Sequence, residues 1–240
     1  MRTKVIIRLS FIFFLSALLL WVRPTTAQNP SYAADLSPNA FSAPKLHWRI
    51  VNVTAEVVEF GFGSGTFWQA RVGQTLSFEI QEFVNDELHG LLTIGNLTLP
   101  ANDSRLAAEL VFSIWPWFPG LISHLDWNTV DQTATDAAVG FYMNGSLDIL
   151  TTSTTKAYIY HQGPWGNQNT TLVYDLTSGI LLSGYTEFFF LNDYHLGIEF
   201  LTLTRTPTTL STLFFVVLFA VVLIITIFGI VTARLRSKKD

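Results

Sequence analysis

Imidazoles, paired carboxylates and a glycine-rich loop are the groups in this sequence that could do chemistry. The five histidines stand at His47, His89, His124, His161 and His195. None forms a His-x-His pair or a His-Glu-x-x-His segment, the spacing that puts two imidazoles on one helix face to grip a metal. His124 and Asp126 sit close together beside Trp127, too small a set to hold an ion. Gly61, Gly63 and Gly65 alternate with Phe62 and Ser64. A phosphate loop needs a lysine after its glycines, and a nucleophile elbow needs serine at the centre of Gly-x-Ser-x-Gly. Neither fits, so this segment reads as a turn between Phe60 and Phe67. Glu79 with Glu82, and Asp86 with Glu87, could supply an acid and a base or bind calcium. No Asp-x-Asp-x-Asp run is present to close around that cation, and these carboxylates read as solvated strand and turn charges. The expectation is no catalytic residue, no metal and no cofactor.

The most distinctive cluster is aromatic. Trp115, Trp117 and Phe118 crowd a segment bounded by Pro116 and Pro119, and Trp127 follows. Large rings on a rigid turn make an apolar surface. They serve either as core where a helix meets a sheet, or as a binding site for a protein, a glycan or an apolar molecule. Tryptophan's preference for the lipid interface allows a membrane-touching loop as well.

The elements that must position these residues follow from composition and pattern. The chain has 240 residues, 13% charged and 14% aromatic, with a formal charge of -4 and no cysteine. Such a chain can bury a core, so a disordered or acidic-tail protein is ruled out. The missing thiols exclude a disulfide scaffold, cysteine-bound zinc, iron–sulfur clusters and thiol catalysis.

Both ends are apolar. Arg2, Lys4 and Arg8 precede an uncharged run from Leu9 to Val22, and Thr25, Thr26 and Ala27 follow. This is the layout of a secretory signal peptide, 1–27, cleaved after Ala27. The second run, 213–233, has no charge and is rich in Val, Ile, Leu and Phe. As a helix it would be roughly 31 Å long, enough to cross the hydrocarbon of a lipid bilayer. Arg234, Arg236, Lys238 and Lys239 follow in a basic tail, 234–240, and the positive-inside rule puts them in the cytoplasm. The expected protein is a type I single-pass protein of the cell membrane, N-terminus outside. Its exterior, from Gln28 to Arg205, has 6 basic residues against 17 acidic ones, a net charge of −11. That charge repels nucleic acid and keeps a surface protein soluble.

Asn52, Asn96, Asn102, Asn144 and Asn169 each open an Asn-x-Ser/Thr triplet, the acceptor for N-glycosylation. All five lie in the exterior. A secreted domain with glycan acceptors and no disulfides points to an archaeal or bacterial surface, where the core alone must fold the domain.

The exterior reads as mainly β with α insertions: a curved antiparallel sheet, one or two inserted helices, and the C-terminal transmembrane helix. Residues 28–45 read as a flexible lead, 46–204 as the β-rich extracytoplasmic domain and 205–212 as a Thr-rich stalk. Leu76, Phe78 and Ile80 alternate with polar residues at the period of a strand. Strands are also expected from Ile50 to Phe60, Leu88 to Leu99 with a bend at Gly95, Ala157 to His161, Thr171 to Leu176, Ile180 to Phe190 and Tyr194 to Leu203. Asn85 and Asp86, Asp175 to Gly179, and Asn192 and Asp193 carry turn chemistry. Leu106, Leu110, Val111 and Ile114 fall at helix spacing until Pro116, with Asn102 or Asp103 as cap. A second helix is expected from Asn128 or Thr129 to Ala138. Pro207 should end the last strand before the membrane.

Between Thr171 and Leu182 the residues Tyr174, Asp175, Ser178, Gly179 and Leu181 spell Tyr-Asp-x-x-Ser/Thr-Gly-x-Leu. This resembles a hairpin of uncharacterised archaeal cell-surface proteins of the choice-of-anchor type, which have a signal peptide, a β-rich ectodomain and a C-terminal anchor. The resemblance implies an archaeal envelope setting and brings no activity or site residue. The leading expectation is a surface binding or interaction module without catalytic activity. A structural envelope or surface-layer component is the second reading, and a secreted hydrolase the last.

Overall fold

The structure is a computed structural model that describes residues 31–39, 41–53, 58–60, 66–68, 71–85, 87–102, 105–112, 114–115, 118–140, 145–161, 169–188 and 194–237. The chain divides into two compact units. One is built from 27–38 and 43–205, the other from 1–26, 39–42 and 206–240.

In chain order the strands are β1 (Ser42–Val53), β2 (Val58–Phe60), β3 (Thr66–Trp68), β4 (Thr75–Val84), β5 (Glu87–Ile94) and β6 (Leu97–Pro100). After helix α1 (Arg105–Phe112) come the short strands β7 (Ile114–Trp115) and β8 (Phe118–Pro119), then helix α2 (Trp127–Val139). The second half holds β9 (Ser146–Thr151), β10 (Thr155–His161), β11 (Asn169–Asp175), β12 (Leu181–Phe188) and β13 (Tyr194–Pro207), followed by helix α3 (Thr209–Ser237). Nine strands form one antiparallel sheet in the order β6-β5-β4-β1-β13-β12-β11-β10-β9. Each half is a meander, and the first and last strands close the two halves side by side at the sheet's centre. The helical insertion therefore joins the outermost strands.

Alternation decides which face is buried. Leu46, Trp48 and Ile50 of β1, Leu76, Phe78 and Ile80 of β4, and Tyr158, Tyr160, Leu172 and Tyr174 of β10 and β11 all point to one face and are fully buried. Ala107, Leu110 and Val111 of α1 and Val130, Ala134 and Ala138 of α2 pack against that face in a single cluster. Polar handles inside this cluster are satisfied, as burial requires. Trp48 Nε1 donates to the Leu181 carbonyl at 2.8 Å, and the Tyr174 hydroxyl donates to the Gly120 carbonyl at 2.8 Å. The sheet's other face carries ion pairs, with Lys45 3.4 Å from Glu79 and Arg49 4.0 Å from Glu199.

The described turns at Asn85 and Gly179 carry the expected chemistry. Asn85 takes a φ of 50° between β4 and β5, and Gly95 a φ of 57° between β5 and β6. The bend expected at Gly95 is thus a full hairpin that divides Leu88 to Leu99 into two strands. Asp126 caps α2, its carboxylate accepting from the Thr129 backbone N–H at 3.3 Å and the Thr129 hydroxyl at 2.7 Å. Those hydrogen bonds hold the Asp126 carboxyl below its ordinary range.

Several boundaries differ from the sequence reading. The expected lead 28–45 contains part of the core: Tyr32, Ala33 and Leu36 are buried around a 3-10 turn, and β1 begins at Ser42. The expected strand from Ile50 to Phe60 is β1 up to Val53 and the separate β2, paired with β3. Helix α1 ends at Phe112, so Ile114 belongs to β7. The expected stalk 205–212 is taken up by the end of β13 and the start of α3, with Pro207 as the strand's final residue. Expected span 213–233 lies wholly within α3. Its most apolar window, Thr212–Gly229, has a mean hydropathy of 2.9 with none of it buried, a helix long and apolar enough to cross a membrane. The expected signal peptide 1–27, and the turns at Asn192–Asp193 and Gly61–Gly65, lie outside the described residues.

Candidate functional site

The residues singled out for binding belong to a short hairpin and to the helix that follows it. Strands β7 and β8 pair antiparallel and set Trp115 opposite Phe118, while Trp117 lies outside the described residues. Trp127 is the first residue of α2, the helix that packs against β7. Its Nε1 donates to the Leu176 carbonyl at 3.1 Å, its ring lies 6.3 Å from Tyr174, and the Lys156 ammonium sits 5.7 Å from its centroid. Trp127 thus fastens the start of α2 to the edge of the core. Of the glycan acceptors, Asn52, Asn96, Asn102 and Asn169 are exposed, with Asn96 in the β5–β6 turn and Asn102 just past β6; Asn144 lies outside the described residues.

Four of the five histidines belong to separate strands of the sheet. His47 Nε2 lies 3.0 Å from the Thr204 hydroxyl, His161 Nε2 2.9 Å from Asp148, and His195 Nδ1 2.9 Å from the Tyr185 hydroxyl. His89 lies 4.0 Å from Glu87. Among the described residues, no group of three or more His, Asp or Glu converges on a point that could hold a metal ion.

The fifth histidine lines a cleft. Tyr32, Glu87, Leu88, Ala101, Asn102, Ala108, Phe112 and His124 surround about 490 Å³, a volume within the range of small-molecule sites, about 300–1,000 Å³. Each wall has a structural cause. Tyr32 is buried against the sheet, its ring 5.5 Å from Phe83 and 4.6 Å from His124. Phe112, at the end of α1, meets Phe78 edge-on at 6.1 Å and 88°, which fixes its orientation. The Leu125 N–H donates to the Ser31 carbonyl at 2.9 Å, tying the His124 loop to the segment that carries Tyr32. Ala101 N–H donates to the Gly90 carbonyl at 2.9 Å and holds the Asn102 corner against β5.

Burial disfavours the charged form of each member of the central pair. Burial, and then the nearby Glu87 carboxylate, push the Tyr32 hydroxyl up to about 12. Burial pushes the His124 imidazole below its ordinary value, against the opposing pull of Asp126. The hydroxyl and Nε2 share a hydrogen bond of 2.9 Å. With the hydroxyl as donor, Nε2 is unprotonated and Nδ1 carries the proton. Glu87, its side chain 79% exposed, offers a carboxylate at the rim, and Asn102 an amide. These groups can bind polar ligand atoms.

Sequence reasoning noted His124 beside Asp126 and missed Tyr32, because residues 28–45 read as a lead. The available signal was Tyr32, Ala33 and Leu36, whose i, i+1, i+4 spacing is that of one turn with a single apolar side. Comparison with protein-family profiles and with curated proteins finds no match for the chain.

Proposed function

We propose that this is a single-span cell-surface protein whose exterior is a binding module without catalytic activity. The observation that carries this reading is the apolar window Thr212–Gly229, none of which is buried, in a chain whose other unit has a complete core of its own. A soluble protein does not leave so much apolar surface in water. The basic residues Arg234, Arg236, Lys238 and Lys239 favour a cytoplasmic C-terminus, and Arg2, Lys4 and Arg8 before an apolar run favour export of the domain. The exposed Asn-x-Ser/Thr sites suit that compartment, and the resemblance of the Tyr174–Leu181 hairpin suits an archaeal envelope.

Binding is favoured over a purely structural role by the cleft, whose rim offers the exposed side chains of Glu87 and Asn102. The aromatic residues Trp115, Trp117, Phe118 and Trp127 are retained from the sequence as candidates for contact with a protein, a glycan or an apolar molecule. Fractionation and surface proteolysis test the topology. The chain should stay with membranes after alkaline carbonate washing, and protease added to intact cells should degrade the domain. Release by carbonate, or a domain protected in intact cells, refutes the reading. Crosslinking on whole cells separates it from a surface-layer role, since a lattice component recovers mainly itself.

A further inference from the structure

We propose that the cleft between α1, the start of β5 and the His124 loop is a carbohydrate site taking one or two neutral sugar rings. Recognition of a sugar needs acceptors and donors for its hydroxyls and an apolar surface for the C–H face of its ring. Glu87 is acceptor-only, the Asn102 amide both donates and accepts, and His124 adds the ring nitrogen not bonded to Tyr32. Phe112 and Ala108, half-buried over the core residues Leu88 and Ala101, form the apolar side, with Phe112 fixed by its edge contact to Phe78. Both sets line one cavity of about 490 Å³. The charge pattern rejects the alternatives. No lysine or arginine is among the described lining residues, and Glu87 repels phosphate and carboxylate ligands. A purely apolar ligand would strip water from Glu87, Asn102 and His124 without replacing it, which costs more than the apolar side returns.

This inference rests on the reading of the exterior as a binding module. The full chain is made in a host without N-glycosylation, so that Asn102 carries no sugar, and kept in a phosphocholine detergent free of sugar headgroups. Methyl glycosides of glucose, mannose, galactose and N-acetylglucosamine are titrated in turn, and binding is read by calorimetry and by the His124 ring resonances. At least one should bind saturably and shift those resonances. Glu87→Gln, at an exposed side chain, should weaken that binding tenfold or more at an unchanged melting temperature. Ala108→Trp should abolish it by filling the cleft. Glu199→Gln, on the sheet's opposite face, should leave it unchanged. If no glycoside binds, or if Glu87→Gln binds as the wild type does, the inference is overturned. Tighter binding of tetramethylammonium than of every glycoside also overturns it. A chain that binds none of these sugars yet passes the membrane tests rejects the cleft assignment alone.

Discussion

The ammonium of Lys156 lies 2.7 Å from Oδ2 of Asp131 and joins β10 to α2 beneath the aromatic floor of the core. Tyr158, two residues along the strand, donates its hydroxyl to Oδ1 of the same carboxylate at 2.7 Å. The two partners are unequally placed, with Lys156 only 7% exposed and Asp131 32%.

This inequality predicts an asymmetric response to substitution. Asp131→Ala strands a buried ammonium and removes the acceptor of the Tyr158 hydroxyl, so it should cost about 3 kcal/mol. Lys156→Met keeps the stem's packing and leaves Asp131 hydrated and still bonded to Tyr158. It should lie within about 1 kcal/mol of the wild type. Thermal or denaturant melts of both variants decide the matter; equal losses would mean that the attraction itself, rather than the stranded charge, dominates.

The turn after β11 makes a second case. Asp175 Oδ1 accepts from the Thr177 and Ser178 backbone N–H groups at 3.0 and 2.7 Å and from the Thr177 hydroxyl at 2.7 Å. Burial raises the Asp175 carboxyl, but these hydrogen bonds outweigh it and leave the group below its ordinary range. Gly179 takes a φ of 71°, and a Cβ there would lie 2.3 Å from the Ser123 carbonyl oxygen. Gly179→Ala should therefore cost about 3 kcal/mol, from the left-handed angle and the collision together. That loss corresponds to a fall in melting temperature of roughly 6–12 °C for a domain of this size. A fall below 2 °C would show that the turn and the His124 loop move apart freely.

These examples mark what could be read in the sequence. Gly179 and Asp175 were legible because a tight turn states its needs locally. Strand pairs such as β10 with β11 were legible through alternation, and α2 through its cap and its small apolar residues. Strand β9 went unread: as an edge strand it is exposed at Leu150, 53%, and the core exerts little selection on its pattern. The Tyr32 contribution to the core was hidden among Ser, Pro and Asn. The cleft was illegible for a stronger reason, since its walls come from five separate segments that only the fold brings together. Lys156 and Asp131, 25 residues apart, are unremarkable until a helix is laid across a strand.

Buried tyrosines set an alkaline limit on the domain. Burial and Glu87 raise Tyr32 to about 12, and burial lifts Tyr158, Tyr160 and Tyr174 further above their ordinary 10. A raised folded-state value means that the folded chain holds protons that the unfolded chain gives up above about pH 10. Stability is then constant below that pH and falls as pH rises beyond it. Absorbance at 295 nm should show these four tyrosines staying neutral past pH 11, then ionising together as the domain unfolds. Gradual ionisation of all tyrosines near pH 10, with the fold intact, would refute their burial.

The apolar helix offers the sharpest separation between anchoring and folding. Among the described residues, none beyond Arg205 contributes to the core cluster, so a chain ending at Arg205 should be soluble and melt cooperatively. In the full chain, arginine at the helix centre should act on the membrane alone. Each costs about 2.5–3.5 kcal/mol of insertion, and Leu223→Arg with Ile224→Arg places both charges in the middle of the window Thr212–Gly229. The double variant should move largely to the carbonate-soluble fraction, while the single Leu223→Arg stays mostly in the membrane because the flanking Val, Ile and Phe residues compensate for one charge. The melting temperature of the domain should be the same in all three chains. A domain that unfolds when the helix is charged or removed would instead make α3 part of the fold, with its apolar surface covered by protein rather than lipid.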